Sequence, residues 1–350
     1  MKLGLVFGCG FLLGQEQRLI KTSATLPGEW MTEEQVFELL RAKKNFFDIT
    51  DSPGATTAKV QLVGLSPIPS VLSQKDQVVN AQKMIDRAAM ETFLQQFSGF
   101  HNRYYSSSTG VQAAEFLLEE VKRAGAPLGD DFSVSFFNHS WAQPSVIARI
   151  PGLDQEKVIV GAHLDSINMY NPRAGRAPGA DDDGSGTTSN LEALRSLAKA
   201  GFRPKRTVEF HFYAAEEVGL RGSQAVAQAY AKAKAKVAGM LQLDMTGYLE
   251  NNKTKILTDY TDESLSDLVR KCIDSYSGIS WFNGECGYAC SDHASFDQAG
   301  FRSAQAGEDI LNPSMHTKDD TMQHVNFDHV VEFTKLAIGF IIELAEPRSL

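Results

Sequence analysis

His163, Asp165, the run Asp181-Asp182-Asp183, Glu216-Glu217, Asp244 and His316 are the side chains whose types and positions suit chemistry. Taken singly, each has a plain structural reading. A histidine after a strand is usually a hydrogen-bonded core residue, aspartates before a helix cap it, and paired glutamates in a loop are usually solvated. Their coincidence carries more, because each falls at a strand end or in a loop beside one. Carboxylates gathered in one cleft repel one another unless a divalent cation compensates them. A mixed set of imidazole nitrogen and carboxylate oxygen suits zinc, with a position left open for water. Two histidines and three carboxylates exceed the needs of one catalytic zinc, and they suffice for two zincs sharing a bridging carboxylate. A carboxylate outside the ligand set is then required as general base, and Glu216 beside Glu217 supplies it.

The elements that must hold these residues alternate in type. Helical spacing marks 76–97, where Val79, Met84, Ile85, Ala88, Phe93 and Leu94 recur, and also 111–124 and 187–200. Strands are expected over 145–150, 157–162, 208–214 and 240–244, with a short one near 301–306. Further helices are expected over 222–238, 263–276 and from 326 onward. This alternation predicts an α/β fold with a mostly parallel central sheet and helices on both faces. In such sheets ligands gather beyond the carboxyl ends of the strands, where His163, Glu216 and Asp244 fall.

Length and composition suit an ordinary globular protein: 350 residues, 43% hydrophobic and 22% charged. A net charge of −9 without a Lys/Arg stripe lacks the footprint of nucleic-acid binding, so no nucleic-acid partner is expected. Met1-Lys2 and the uncharged run 3–13 are too short to span a bilayer and fit a secretory signal peptide over 1–14. Residues 15–80 differ from the rest, with a helical stretch over 32–44, then Phe46-Phe47-Asp48-Ile49-Thr50, then a Pro/Ser/Gly-spaced segment. They read as an appended strand-helix unit or a removable pro-segment ahead of a catalytic domain over 81–350. Of four cysteines, Cys9 lies in the leader and Cys272 stands alone. Cys286 and Cys290 flank Gly287-Tyr288-Ala289 as a small disulfide loop in a secreted chain.

At this point the motifs are similar to a known family. Gly161-Ala162-His163-Leu164-Asp165-Ser166, Pro178 to Gly186 with its Asp-Asp-Asp-Gly-Ser-Gly run, Ala215 to Ser223, Leu243-Asp244-Met245-Thr246-Gly247 and Met315-His316-Thr317 stand in order. They resemble the M28 zinc aminopeptidases, particularly the secreted leucyl-aminopeptidase branch of bacteria and fungi. The resemblance runs from about Asn102 to the carboxyl end.

It implies two zinc ions per chain. Asp182 would bridge them, with His163 and Asp244 completing one site and Glu217 and His316 the other. Asp165 would orient His163, and the Asp182-Asp183 peptide bond would be cis. A bridging zinc-bound hydroxide would attack the first carbonyl of a peptide with a free amino terminus, with Glu216 as general base and Tyr288 stabilising the oxyanion. The 15–80 region matches the pro-segment of this branch in position and in its Phe-Phe-Asp-Ile-Thr motif.

The family's aromatic loop before the last histidine is here Arg302 to Leu311, so the preference for leucine or other hydrophobic residues rests on Met245, Ile310, Leu311 and Met315 as candidate pocket residues. His293 is a candidate to support the site, and Arg221 either pairs with an active-site carboxylate or lies on the surface. A single-zinc glutaminyl-peptide cyclotransferase and a non-catalytic binding ectodomain on the same fold are the alternatives. Location outside the cytoplasm (extracellular or periplasmic) and a monomeric state complete the expectation.

Overall fold

A computed structural model describes residues 17–52 and 64–348. The expected leader, with Cys9, lies outside them. The first described segment is a small antiparallel sheet in the order β2-β1-β3, made of β1 (Gln17–Lys21), β2 (Glu29–Thr32) and β3 (Phe47–Asp48). Helix α1 (Glu33–Arg41) joins β2 to β3. A capping box starts it, with the Thr32 hydroxyl accepting from Gln35 N and the Gln35 side chain accepting from Thr32 N. Ile20, Val36 and Phe46 are buried between helix and strands.

The helix expected over 76–97 is two helices, α2 (Lys75–Gln82) and α3 (Arg87–Phe97). Asp86 breaks the run by capping α3, its carboxylate accepting from Ala89 N. On α2 it is Val78 and Ala81 that enter the main core, whereas Val79 is 36% exposed. The boundary expected at 80/81 therefore cuts through a helix that belongs to the main body.

That body is an eight-stranded sheet in the order β10-β9-β11-β8-β6-β7-β5-β4. Helix α4 (Ser108–Gly125) leads to β4 (Ser133–Phe137), β5 (Ser145–Ile150) and β6 (Asp154–His163). Next come α5 (Gly184–Lys199), β7 (Arg206–Tyr213), α6 (Arg221–Lys232) and β8 (Val237–Leu243). The chain continues through β9 (Lys253–Leu257), α7 (Glu263–Tyr276), β10 (Ser280–Gly284), α8 (His293–Ala299), β11 (Ser303–Glu308) and α9 (Phe327–Ala345).

The central strands β11, β8, β6 and β7 run parallel, and antiparallel pairings bring in β9 on one side and β5 with β4 on the other. The central strands are buried on both faces, and apolar runs stand out in β6 (Val158-Ile159-Val160) and β8 (Val237–Leu243). Val158 and Val160 of β6 join the core beneath α5 and α9, while Ile159 joins the opposite core with Val226 and Phe296 of α6 and α8. From β6 the chain steps to β7 on one side and then crosses to β8 on the other. That reversal opens a crevice at the carboxyl ends of the three strands.

Candidate metal centre and active site

Four of the nominated residues sit at the ends of these strands. His163 is the last residue of β6, Glu216 and Glu217 follow β7, and Asp244 follows β8. His316 lies between β11 and α9. The aspartate run precedes α5, and Asp183 caps that helix by accepting from Gly186 N at 2.9 Å. The Gly-Ser-Gly turn is forced by this close approach. A Cβ on Gly186 would lie 2.2 Å from Asp183 Oδ1 and 2.5 Å from Leu243 O.

Asp183 is otherwise saturated. Its Oδ2 accepts from His163 N at 3.0 Å and its Oδ1 also accepts from Met245 N at 3.1 Å. Asp183 lies within ligand distance of His163 and Asp244, but its lone pairs are committed to three backbone amides. Asp182, joined to it by a cis peptide bond, is disposed differently. Its Oδ1 is 3.1 Å from His163 Nε2 and its Oδ2 is 3.0 Å from His316 Nε2. One carboxylate thus faces two imidazoles through its two oxygens. His316 Nε2 is also 2.8 Å from Glu217 Oε2, and His163 Nε2 is 3.7 Å from Asp244 Oδ1.

The electrostatics follow from burial. Burial alone would raise Asp182, but His163 and His316 outweigh it and hold the carboxyl well below its ordinary range. Burial, with help from Asp182, pushes Glu217 up to about 7. Glu216 is pushed well above its usual value by burial, with Asp292, Asp244 and Glu217 adding to the rise against the pull of His163. A pocket that suppresses so many carboxylates lacks positive charge, which divalent cations would supply. The donor set of two imidazoles and three carboxylates fits zinc. Glu216 stands outside both ligand groups, with Oε2 4.0 Å from His163 Nε2.

The outer contacts are dense, and most were not legible in the sequence. Asp165 lies 3.5 Å from His163 Nδ1, within ion-pair distance but without a hydrogen bond, since that nitrogen has no hydrogen-bond partner. The same carboxylate accepts from Glu216 N at 3.0 Å and Glu217 N at 3.3 Å, fixing both glutamates. Asp165→Asn is expected to lower kcat/KM by about 10- to 100-fold, since it loosens a ligand and the base together; unchanged steady-state kinetics would contradict this. Asp320 accepts from Asp181 N and Asp182 N at 3.1 and 3.0 Å, and Asp181 Oδ1 accepts from Gly247 N at 2.9 Å. Ser291 Oγ donates to Asp244 Oδ2, so the support expected of His293 comes from its neighbour two residues earlier. The fully buried Arg103 guanidinium donates to the carbonyls of Leu164, Pro178 and Gly179, tying the His163 loop to the aspartate run.

Two expectations need correction. Arg221 is neither a surface residue nor a partner of an active-site carboxylate. It is 8% exposed, bonds Asp51 of the amino-terminal module at 2.7 Å and lies over the Trp141 ring. Among the pocket candidates, Met245, Leu311 and Met315 line the cleft, whereas Ile310 does not and is 47% exposed. Cys286 and Cys290 are disulfide-bonded as expected. Tyr288, within their loop, is not among the residues that line the cleft and packs edge-on against Phe47 and Tyr260, its buried hydroxyl without a hydrogen-bond partner. Met245 and His316 adopt left-handed backbone conformations, φ 59° in each, at the edge of this cleft.

The cleft encloses about 370 Å³ and is lined by His163, Asp182, Glu216, Glu217, Asp244 and His316. Residues of the amino-terminal module, absent from the sequence-based expectation, also line it: Leu40, Lys43, Lys44, Asn45 and Phe46.

Comparison with known proteins accords with this geometry. The model of peptidase family M28 matches residues 145–341. The probable leucine aminopeptidase 1 of Trichophyton verrucosum (strain HKI 0517) is 42% identical over 339 residues, covering 91% of each chain. The crystal structure of the Legionella pneumophila LapA aminopeptidase superimposes with a TM-score of 0.82 at 31% identity, covering 93% of each chain. LapB from the same organism gives 0.83 at 28% identity, covering 95% of this chain and 100% of its own. A matched domain that spans every strand end carrying a ligand candidate, and relatives of this identity over nearly the whole length, show that this chain belongs to peptidase family M28.

Proposed function

We propose that the chain is a zinc-dependent aminopeptidase that removes the first residue of peptides with a free amino terminus, leucine and other hydrophobic residues preferred. The observation that carries this reading is Asp182, whose two oxygens face His163 and His316 at 3.1 and 3.0 Å. That arrangement supports two zincs per chain, one held by His163, Asp182 and Asp244 and the other by Asp182, Glu217 and His316. When bound, such a pair supplies Lewis-acid polarisation of the scissile carbonyl and acidifies a water molecule.

The remaining steps fall to the protein. Glu216, free of the ligand groups and held by Asp165 through its backbone amide, accepts the proton of the attacking water and returns it to the leaving amine. Met245, Leu257, Leu311 and Met315 offer an apolar wall to the first side chain. Tyr288 is the proposed oxyanion donor. Its unpartnered hydroxyl supports this, and the role requires the ring to swing from Phe47 and Tyr260 towards the cleft. A single chain holds every residue named, so a monomer suffices. The Cys286–Cys290 disulfide supports an oxidising, extracytoplasmic location, and among the described residues no helix is long and apolar enough to cross a membrane.

Residues 17–52 are proposed as part of the pro-segment that the Phe-Phe-Asp-Ile-Thr motif implies, placed where Leu40, Lys43, Lys44, Asn45 and Phe46 line the cleft. Asp48 is buried between Arg18 and Arg221, and Gln224 donates to Asp48 O at 3.0 Å, contacts that dock the segment on the catalytic domain.

The reading is tested by measuring zinc content beside hydrolysis of a panel of aminoacyl p-nitroanilides. Two zincs per chain with turnover of leucyl p-nitroanilide, abolished by chelation and restored by zinc, is the expected result. One zinc without hydrolysis would move the assignment to the cyclotransferase, and no zinc to a binding domain.

A further inference from the structure

One face of the ladder between β9 and β11 lines the cleft, and it is less apolar than the wall beside it. Lys255 and Leu257 of β9 share that face, because side chains alternate along a strand. Gln305 and Gly307 share it from the antiparallel neighbour β11, with Gly307 directly across from Lys255. Glycine is dictated there by the site itself, since a Cβ would lie 2.8 Å from Asp244 O. The bare backbone leaves a space beside Lys255, and the Gln305 amide borders it, its Nε2 3.9 Å from where that Cβ would stand.

Both polar groups are unspent. Gln305 is 7% exposed and its Oε1 is buried without a hydrogen-bond partner. Among the described residues its Nε2 donates to nothing. Lys255 is half-buried, its stem packed along Gly284, and among the described residues it has no ion-pair partner. The carboxylates lining the cleft are engaged elsewhere. Asp182 and Glu217 face imidazoles, Asp244 accepts from Ser291, and Glu308 accepts from Tyr248 N and Asn312 N. Glu216 lies against His163. A buried amide and a half-buried ammonium, both unpaired, call for an acceptor supplied from outside.

We infer that Lys255 and Gln305 form a polar end to the pocket for the first side chain, so that the enzyme also releases amino-terminal glutamine and glutamate. The inference rests on the aminopeptidase reading above and extends its range beyond leucine. A leucine side chain ends in methyl groups against Met245, Leu257, Leu311 and Met315. Glutamine and glutamate pass the same apolar wall with their stems and continue to an acyl oxygen. That oxygen accepts from Lys255 Nζ and Gln305 Nε2, donors that norleucine, of like length, leaves unpaired.

The test compares kcat/KM for glutaminyl, glutamyl and norleucyl p-nitroanilides, in the form of the enzyme that turns over leucyl p-nitroanilide. These substrates carry no second residue and no terminal carboxylate, so a preference among them reads the first side chain alone. Release of p-nitroaniline also separates hydrolysis from cyclisation of glutamine, which leaves the anilide bond intact. Lys255→Met is expected to lower the glutaminyl-to-norleucyl and glutamyl-to-norleucyl ratios by about 10-fold. That is the low end for a hydrogen bond to a charged group, as suits a half-buried lysine. Gln305→Leu should lower both ratios by about 2- to 10-fold, the scale of a neutral hydrogen bond. Ratios taken within one variant cancel any loss of folded enzyme. An unchanged ratio in either variant would overturn the inference. So would turnover of the leucyl substrate with none of the glutaminyl and glutamyl ones. Absence of hydrolysis of every substrate, leucyl included, would instead overturn the aminopeptidase reading itself.

Discussion

Glu216→Gln is expected to lower kcat by about 10²- to 10⁴-fold, the usual contribution of a general base, while the zinc content stays that of the unaltered enzyme. The two halves of that outcome come from separate features. Glu216 belongs to neither ligand group, so its loss leaves the donors His163, Asp182, Asp244, Glu217 and His316 in place. Its backbone amide, not its carboxylate, is what Asp165 holds, so a neutral isostere keeps the loop conformation. Removing one negative charge from a buried group already pushed well above its ordinary pKa is not expected to harm stability. Kinetics with leucyl p-nitroanilide beside metal analysis make the check. Turnover within a few-fold of the original would show that the proton moves by another route, and loss of zinc would place Glu216 among the ligands.

Asp182→Ala is expected to do the opposite, weakening zinc at both sites together. Replacing an outer hydrogen-bond partner costs about 10- to 100-fold in metal affinity; deleting an inner ligand should exceed that, so more than about 10²-fold is expected at each site. The cause is geometric, since the Asp182 oxygens are divided between His163 and His316. Asp244→Ala and Glu217→Ala should each weaken one site and spare the other. Competition titration against a chromophoric chelator distinguishes the cases. A full zinc complement in Asp182→Ala would refute the shared-carboxylate arrangement and direct attention to Asp183, which lies within ligand distance of His163 and Asp244.

The parts legible in the sequence are those that local physics makes repetitive. Strands β6, β7 and β8 are buried on both faces, with apolar runs in β6 and β8, so their ends, and the ligand candidates on them, were locatable. Edge and near-edge strands gave no such signal. Ser133–Phe137 and Ser280–Gly284 contain no fully buried residue, and Lys253–Leu257 mixes lysines with apolar residues. The seven-residue helix His293–Ala299 is too short for periodicity to register. Outer contacts escaped for another reason. Asp320 reaches Asp182 across 138 residues and Arg103 reaches Gly179 across 76, and no spacing rule anticipates such pairs. Tyr288 was nominated from its motif alone, and the ring of Phe47, more than two hundred residues earlier, explains where the structure puts it.

The cleft lining drawn from Leu40 to Phe46 has a consequence for biosynthesis. One cavity is lined by residues near the start of the described chain and by His316, close to its end. Between them the sheet's central strand β8 must receive β11 at its side, and β11 is not complete until Glu308. A ribosome delivers these parts in order, over tens of seconds at about 5–20 residues per second. No shorter nascent chain holds both histidines, so a growing polypeptide cannot trim peptides in the compartment where it is made. The donor set is complete only once the stretch carrying β11 and His316 has been added.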